Sequence, residues 1–459
     1  MDSPIVIAGG GAAGRAAAQT LLAAGVTPLL HLAGPEGEAV DRTLVDKAIM
    51  TGRITPERAQ SMRPPLEGLE TRMDTLAAIA AQSDTPTAEA VPATAADSEV
   101  SAASGTASAE AAPASAPSLR LTLGSGEEIE ASGLIVATGS IPRTVDVPGH
   151  AQWARAGRLT TLHAVADALA IRTLLADAAE GPDAPDTTGA RVLVSGAGLV
   201  GSEAATLLSE AGHTVTLVAP STPPGEAALG RTLAARLAEI HTEAVDTRFG
   251  ARLVRLEELP DAAPDGGPAR EVTEAAAPGQ ADTAPGSTAS APGLAVLSDG
   301  TTVEADLVII AHGATPHVPR GVGGEAGIPV DDHLRVRGRP GILAAGAVAL
   351  FTGGDGRTAY RIDHWDDAEA QGAHAARTLL HDRGQGEDPG PYRPTAPWSA
   401  RIHGRQLAGF GHRLPGAQER IVSEDPLLVE FVDDAGDACA VLGLDAGRML
   451  RDLGRSLRG

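Results

Sequence analysis

The sequence predicts an α/β protein made of two doubly wound, Rossmann-like dinucleotide-binding domains and a small α+β domain at the C-terminus. Three observations support this prediction. The 459 residues are too many for one ordinary core, short runs of Val, Ile and Leu alternate with Ala-rich helical stretches, and a strand, a glycine turn and a helix follow one another twice. The best strand candidates are residues 5–8, 134–137, 192–195, 214–218 and 307–311.

Two low-complexity stretches interrupt this pattern. Residues 81–117 consist almost entirely of Ala, Ser, Thr, Pro and acidic residues, and residues 257–293 have the same character. Both contain too few large apolar groups to offset the entropy of ordering, so we predict that they are disordered insertions. The expected domains are a first nucleotide-binding domain at 1–152 and 315–388, a second at 153–314, and a C-terminal interface domain at 389–459.

The composition excludes several classes of function. A formal net charge of −23 opposes binding to nucleic acid, which is itself a polyanion. A single cysteine, Cys439, excludes a disulfide within the chain, so redox chemistry must belong to a bound cofactor. The 13 histidines are scattered without metal-ligand spacing, and we expect no metal site. The chain shows no secretory leader and no apolar run long enough to span a membrane, which predicts a cytoplasmic protein.

The first glycine turn lies in the segment PIVIAGGGAAG, directly after a strand and directly before an Ala-rich helix. In this context the glycines allow a tight turn, close approach of a pyrophosphate to the backbone, and close packing of helix on strand. The N-terminus of the helix adds free N–H groups for the phosphates. Glu36 follows at about the spacing of the acid that binds an adenosine ribose. The predicted phosphate-binding residues are Gly9, Gly11, Ala12, Ala13 and Gly14.

The second turn lies in RVLVSGAGLVGSEAA and has the same context. The next strand ends at Ala219 and Pro220 without a carboxylate, and no basic residue follows before Arg231. The sequence therefore does not decide between NADH and NADPH, although the lack of a basic residue at this point favours NADH. The predicted cofactor-binding residues are Gly196, Gly198, Leu199, Val200 and Gly201.

The order of these motifs resembles the FAD-dependent pyridine nucleotide oxidoreductases, specifically their ferredoxin-reductase-like branch. The resemblance covers nearly the whole chain outside the two insertions. It implies that the first glycine turn binds FAD and the second binds a nicotinamide dinucleotide. Further segments support it, namely LIVATGSIPR, ADLVIIAHGATPHV and YRIDHWDDAEAQG.

The resemblance also implies a charged pair beside the flavin. Arg42 and Lys47 stand at the family's spacing, although Val40 replaces the usual Tyr. Arg42 would contact FAD, and Lys47 would lie near the flavin ring and pair with Glu203. A cation there stabilises the negative charge of a reduced flavin. The alternative is an exposed Lys and a Glu that is favoured only by the helix dipole.

Two further segments supply expected flavin contacts. Ala137, Thr138 and Gly139 match the family's Ala-Thr-Gly turn, which lets the chain pass close to the bound dinucleotide. Arg143 would lie nearby, with an exposed turn residue as the alternative. Gly313 belongs to the related segment that closes the second nucleotide domain.

The C-terminal part of the family pattern carries one important departure. Where the family ends a segment in Gly-Asp, this chain has Gly346 and Ala347. The family's aspartate hydrogen-bonds the ribityl chain of FAD, and losing such a contact costs about 1–3 kcal/mol unless a neighbour compensates. In the next segment Asp363 replaces a Glu. Trp365 is expected beside the flavin as a ring contact and electron exit, or else as a core aromatic.

The resemblance implies hydride transfer from a nicotinamide to FAD and electron transfer to an acceptor, with Lys47, Glu203 and Trp365 in catalytic roles. The expected acceptor is a ferredoxin or a rubredoxin. Two alternatives stay open: a redox sensor that has lost turnover, and a reductase of a quinone or another small acceptor. The sequence does not predict the oligomeric state.

Overall fold

A computed structural model of the chain describes residues 3–34, 37, 40–80, 118–180, 189–258, 293–352 and 359–457. Glu36, the predicted insertion at 81–117 and most of the one at 257–293 lie outside the described residues. Short non-α helices occupy Val45–Ile49, which is a π-helix, and Gly346–Val348, which is a 3₁₀ helix. The α-helices are α1 (Ala12–Ala23), α2 (Pro56–Ser61), α3 (His150–Arg155), α4 (Val165–Glu180), α5 (Leu199–Glu210), α6 (Glu226–Ala244), α7 (Trp365–Asp382) and α8 (Gly447–Ser456).

The first nucleotide-binding domain is built on a five-stranded parallel sheet with the order Ile342–Ala344, Gly133–Val136, Ile5–Ala8, Leu29–Leu32 and Glu70–Arg72. Its central strand is buried along its whole length, as expected for a parallel sheet covered on both faces. One edge strand comes from far along the chain. The smaller sheets of this part are Leu76–Ile79 with Leu119–Leu123 and Glu128–Ala131, and Ile328–Val330 with Ala349–Thr352 and Ala359–Tyr360.

Small residues let α1 and α7 pack closely beside this sheet. A Cβ atom added at Gly372 of α7 would lie 2.0 Å from the carbonyl oxygen of Ala13. Only glycine allows this approach of the two backbones. The packing places the N-terminus of α7 next to the N-terminus of α1, and with it the first glycine turn.

The second nucleotide-binding domain repeats the architecture with a parallel sheet of Asp246–Phe249, Thr214–Ala219, Arg191–Ser195, Leu307–Ile310 and Leu159–Thr161. An antiparallel sheet of Leu253–Glu258, Gly293–Leu297 and Thr302–Ala305 packs beside it. These elements confirm the predicted fold class.

The edges of the second predicted insertion were wrong. Glu257 pairs with Leu294 and Glu258 pairs with Gly293 in an antiparallel ladder, so these residues belong to strands. An ion pair of 2.8 Å between Arg158 and Glu258 adds to the ladder. The acidic composition of this segment made it resemble a loop, although Glu257 and Glu258 belong to a strand and Glu258 pairs with the distant Arg158.

The two nucleotide domains meet through a short antiparallel ribbon of Ser140–Pro142 with Ala314–Pro316. The predicted boundary at 152 falls inside α3. Trp153 of α3 is fully buried in the core of the second domain together with Leu193 and Val218. We therefore propose that the boundary lies before α3.

The C-terminal domain is a five-stranded antiparallel sheet of Pro397–Ile402, Arg405–Gly411, Ala438–Leu444, Leu427–Val432 and Gln418–Glu424, followed by α8. One face packs on α6, where Leu233 and Leu237 share a core with Phe431 and Leu442. The C-terminal domain thus rests on the second nucleotide domain. In the described part of the chain, none of the helices is both long and apolar enough to cross a bilayer.

Candidate functional site

The two glycine turns have the same local geometry. An added Cβ at Gly9 would lie 2.0 Å from the carbonyl oxygen of Ala137, and one at Gly196 would lie 2.3 Å from that of Ala311. In each turn, a Cβ atom added at the third glycine would lie equally close to the carbonyl oxygen of the first glycine. The middle glycines, Gly11 and Gly198, face open space, with no atom within 4 Å of an added Cβ. Both turns therefore leave room for a ligand at the N-terminus of the following helix.

The first turn opens into a cavity of about 1270 Å³, which we call the N-terminal cavity. Residues 9–11 form part of its lining, and Arg42, Arg63 and residues 137–141 line it further. The volume suits a large ligand such as a dinucleotide. Ala137, Thr138 and Gly139 are thus placed beside the first turn.

A second cavity of about 230 Å³, the central cavity, continues from the first. It shares Gly11, Arg42 and His163 with the N-terminal cavity. Its lining also includes the first residues of α5, so the cleft extends from the first glycine turn to the helix that follows the second. The predicted site residues that line the central cavity are Gly11, Ala12, Ala13, Arg42, Lys47, Ala137, Gly139, Leu199, Val200, Glu203, Gly346, Ala347 and Trp365.

Lys47 and Glu203 meet in the central cavity, as the resemblance implies. The distance from Lys47 Nζ to Glu203 Oε1 is 3.3 Å. Lys47 Nζ also donates to the carbonyl oxygen of Ser399 at 3.2 Å, and Glu203 Oε1 accepts from the backbone N–H of Arg401 at 3.1 Å. All three domains therefore contribute to the pair. Lys47 lies in the π-helix, a distortion that is frequent at functional sites.

The carboxyl group of Glu203 is held in an unfavourable environment for a charge. Its side chain is only 8% exposed, and burial together with the nearby Asp46 raises its pKa to about 7, although Lys47 acts in the opposite direction. Burial also raises the pKa of Asp46. Two carboxyl groups thus lie close to one cation, whose own side chain is 38% exposed, and protonation of Glu203 near neutral pH follows.

Trp365 is the first residue of α7 and is 9% exposed. The guanidinium carbon of Arg63 lies 4.6 Å from the ring centroid, a cation–π contact. Arg63 also forms an ion pair with Glu369. The indole lines the central cavity, so it is available to a ligand there.

Ala347 lies in the 3₁₀ helix at the wall of the central cavity. Its carbonyl oxygen accepts a hydrogen bond of 2.8 Å from Arg361 Nη1. Asp363 lines the same cavity and accepts a hydrogen bond of 2.8 Å from Ser140 Oγ. It lies 3.9 Å from Arg42 and 3.7 Å from Arg361. A carboxylate is therefore present on the wall where Ala347 offers none.

His163 and Trp398 line the central cavity although neither was predicted as a site residue. His163 precedes α4 in the second domain, lines both cavities, and has a buried Nε2 atom without a hydrogen-bond partner among the described residues. Trp398 of the C-terminal domain closes the far end of the central cavity. Neither belongs to a glycine motif. The local sequence around His163, just before the start of α4, does not by itself indicate contact with a cofactor.

Other predicted residues lie elsewhere. Arg143 is exposed, lies near His312 and is outside the lining of both cavities. Its backbone N–H donates to the carbonyl oxygen of Gly313 at 2.9 Å in the interdomain ribbon. The Thr138 hydroxyl donates to the carbonyl oxygen of His317. The segment that contains Gly313 therefore has a structural role, because it forms part of the ribbon between the two domains.

A family model described as pyridine nucleotide-disulphide oxidoreductase matches residues 3–372. The chain belongs to this family. The resemblance predicted from the motifs is thereby confirmed, although Cys439 as the single cysteine leaves no disulfide within the chain.

Relatives of this chain are electron-transfer reductases by name. The ferredoxin–NAD(+) reductase component of the anthranilate 1,2-dioxygenase system of Burkholderia cepacia is 29% identical over 270 residues, 57% of this chain and 54% of that protein. The nitric oxide reductase FlRd-NAD(+) reductase of Aeromonas salmonicida is 30% identical over 239 residues, 51% of this chain and 50% of that protein. The chain spans about half the length of these curated relatives.

Solved structures extend the similarity of the fold to the whole chain. The ferredoxin reductase from Rhodopseudomonas palustris gives a TM-score of 0.67 at 20% sequence identity, with 97% of this chain and 91% of that chain covered. At this identity the match concerns the fold. It includes the C-terminal domain, which lies beyond the residues matched by the family model.

Proposed function

We propose that this oxidoreductase binds FAD at the first glycine turn and NAD(P)H at the second, and passes electrons from the nicotinamide through the flavin to an acceptor protein of the ferredoxin or rubredoxin type. One observation carries the proposal: the cleft from the first turn reaches the N-terminus of α5, directly after the second turn, at the Lys47–Glu203 pair. The names of the relatives support the choice of acceptor.

The described residues fit FAD. Gly11 leaves space for a diphosphate at the N-terminus of α1, and the N-terminal cavity is large enough for the adenosine half. The unpartnered Nε2 of His163 is one polar group of the cleft that a ligand would satisfy. Bound FAD would supply the chemistry that amino-acid side chains lack, namely acceptance of a hydride and release of single electrons.

The residues of the central cavity would position and tune this chemistry. Lys47 offers a positive charge that is held by Glu203 and the carbonyl oxygen of Ser399. In a site with little water such a charge stabilises negative charge that develops on a ligand. Trp365 would provide an apolar surface for a flat ring, and Leu199 and Val200 would border the nicotinamide.

Asp363 would compensate for Ala347. The carboxylate of Asp363 lies on the same cavity wall and is oriented by Ser140 and by two arginines. It keeps further lone pairs for hydroxyl donors of a ribityl chain. The departure at Ala347 is therefore compatible with tight FAD binding.

An anaerobic titration tests the proposal. The purified protein is loaded with FAD, its retained flavin is quantified by absorbance after gel filtration, and NADH or NADPH is added in steps. We expect stoichiometric retention of FAD and bleaching of the flavin band, followed by recovery of the band on addition of an oxidised ferredoxin. A protein that retains no FAD, or a bound flavin that neither coenzyme bleaches, contradicts the proposal.

A further inference from the structure

A cavity of about 620 Å³ lies between the C-terminal domain and the two nucleotide domains, and we call it the C-terminal cavity. It shares Leu199, His364 and Trp398 with the central cavity. It also shares Leu199, Ala228 and Leu229 with a small cavity of about 40 Å³ below the second glycine turn. These cavities adjoin one another between the second turn and the central cavity, and we call the small cavity and the C-terminal cavity together the passage.

The second nucleotide domain offers no cation of its own to a ligand in this passage. The strand after the turn ends at Ala219, and the first basic residue beyond it is Arg231. The side chain of Arg231 is 83% exposed and lies 3.5 Å from Glu226. A diphosphate at the second turn would meet only the N–H groups at the N-terminus of α5.

Arg413 of the C-terminal domain lines the passage instead. Its Nη1 donates to the carbonyl oxygens of Glu226 and Ala227 at 2.9 and 2.7 Å, which fixes the guanidinium group against the start of α6. Its face rests on the ring of Phe431 at 5.3 Å. The Nε atom is buried without a hydrogen-bond partner among the described residues. No ion pair with a carboxylate neutralises Arg413 in the described part of the chain.

The remaining titratable groups of the passage do not replace this charge. Burial lowers the pKa of His412 to about 4 and also lowers the pKa of His364, so both are neutral at pH 7. Burial and the neighbouring His403 lower the pKa of His241 to about 3.

Two carboxyl groups also line the passage, and both have other partners. Asp363 lies near Arg42 and Arg361. Asp367 accepts hydrogen bonds from Gln371 and Tyr392. Among the described residues that line the passage, Arg413 is therefore the cationic side chain, and it has no carboxylate partner.

We propose that Arg413 supplies the positive charge that holds the diphosphate of the nicotinamide coenzyme, so that the C-terminal domain completes the coenzyme site of the second nucleotide domain. This inference rests on the proposed function. It assigns to the C-terminal domain a role in binding the electron donor. A charge-assisted contact from a pre-oriented guanidinium group suits a diphosphate well.

The test uses the FAD-loaded protein and ADP-ribose, which carries the diphosphate but cannot reduce the flavin. Its affinity is measured by calorimetry for the wild type, Arg413→Gln and Arg413→Lys. We expect about ten- to a hundredfold weaker binding for the Gln variant, with a large part of the loss restored by Lys. The affinity of the wild type falls with added KCl, and that of the Gln variant falls less.

Arg231→Gln is the matched control, because it removes an exposed arginine from the same end of α6 and leaves ADP-ribose affinity unchanged. Equal ADP-ribose affinity of Arg413→Gln and wild type would overturn the inference. Equal losses of affinity in Arg413→Gln and Arg413→Lys would also overturn it, because they would indicate that Arg413 only stabilises the contact between the domains. If Arg413→Gln does not fold, the inference is tested by the ADP-ribose affinity of Arg413→Lys and by the dependence of the wild-type affinity on KCl. Bleaching of wild-type flavin by NADH tests the proposed function separately.

Discussion

The two nucleotide-binding domains share one turn but surround it differently. The residues that precede α1 and α5, Gly11 and Gly198, have nearly identical backbone angles of φ −78°, ψ −168° and φ −79°, ψ −173°. Yet Gly11 of the first turn lines a cavity of about 1270 Å³, whereas Gly198 of the second turn lines one of about 40 Å³. The cavity at the first turn is lined mainly by the first domain, whereas the spaces beside the second turn are lined also by the C-terminal domain. This contrast suits one resident cofactor and one exchangeable coenzyme.

The largest expected effect comes from Gly11→Val. A side chain at this position meets no protein atom, so the fold tolerates it, but the branched group fills the space of the diphosphate. We expect complete loss of retained FAD, measured by absorbance after gel filtration, with unchanged far-ultraviolet circular dichroism. Gly324→Ala, at another glycine with open surroundings, keeps its flavin. Retention of FAD by Gly11→Val would show that the first turn does not bind it.

Gly198→Val sharpens the contrast between the domains. The equivalent side chain also meets no protein atom, but it blocks the second turn. We expect normal FAD content, loss of bleaching by NADH and NADPH, and unimpaired bleaching by dithionite. If Gly198→Val loses FAD instead, the two turns do not serve separate ligands.

Lys47→Met tests the charge at the meeting point of the domains. Removal of the cation should slow flavin reduction by NADH about a hundredfold, because one electrostatic contact beside the reacting atoms lowers the barrier by about 2–3 kcal/mol. Stopped-flow absorbance measures this rate, and FAD content should not change. Arg53→Met removes an exposed cation nearby and serves as control. Equal rates in both variants would remove Lys47 from the mechanism.

The pH dependence of stability should reveal Glu203. Its pKa is raised from 4.5 to about 7 in the folded protein, so the folded state binds the extra proton, and this contribution to stability is lost as pH rises through 7. We expect the free energy of unfolding to fall by on the order of 2 kcal/mol more in the wild type than in Glu203→Gln between pH 5 and 8. Urea denaturation measures it, with Glu239→Gln as control. Parallel curves for wild type and Glu203→Gln would contradict the raised pKa.

The smallest expected effect concerns compensation at Ala347. Asp363→Asn should weaken FAD binding about tenfold, and addition of Ala347→Asp should restore it, since one charged hydrogen bond to a hydroxyl contributes about 1.5 kcal/mol. Equilibrium dialysis of apoprotein with FAD provides the dissociation constants. Asp332→Asn, at an exposed acid outside the cleft, is the control. An unchanged affinity in Asp363→Asn would leave Ala347 without a replacement.

Sequence reasoning worked best where the structure is local. A turn between strand and helix depends on residues that are close in the chain, so both glycine motifs were read correctly, with Gly9 and Gly196 in tight contact with a neighbouring strand. The pairing of Lys47 with Glu203 came from the resemblance, since no local pattern connects two residues so far apart. Prediction from the sequence was wrong at Glu257 and Glu258, where the acidic composition suggested a disordered segment but the residues form an antiparallel ladder.

The sequence by itself determined the two nucleotide folds, the need for a bound redox cofactor and the open centre of each turn, because these depend on glycine stereochemistry, apolar patterning and a single cysteine. Only the tertiary structure decided which distant side chains reach the cleft. His163 and Arg413 stand in segments without a motif, and chain folding brings each to a wall of the site. Their positions follow from contacts between domains, which no short stretch of sequence encodes.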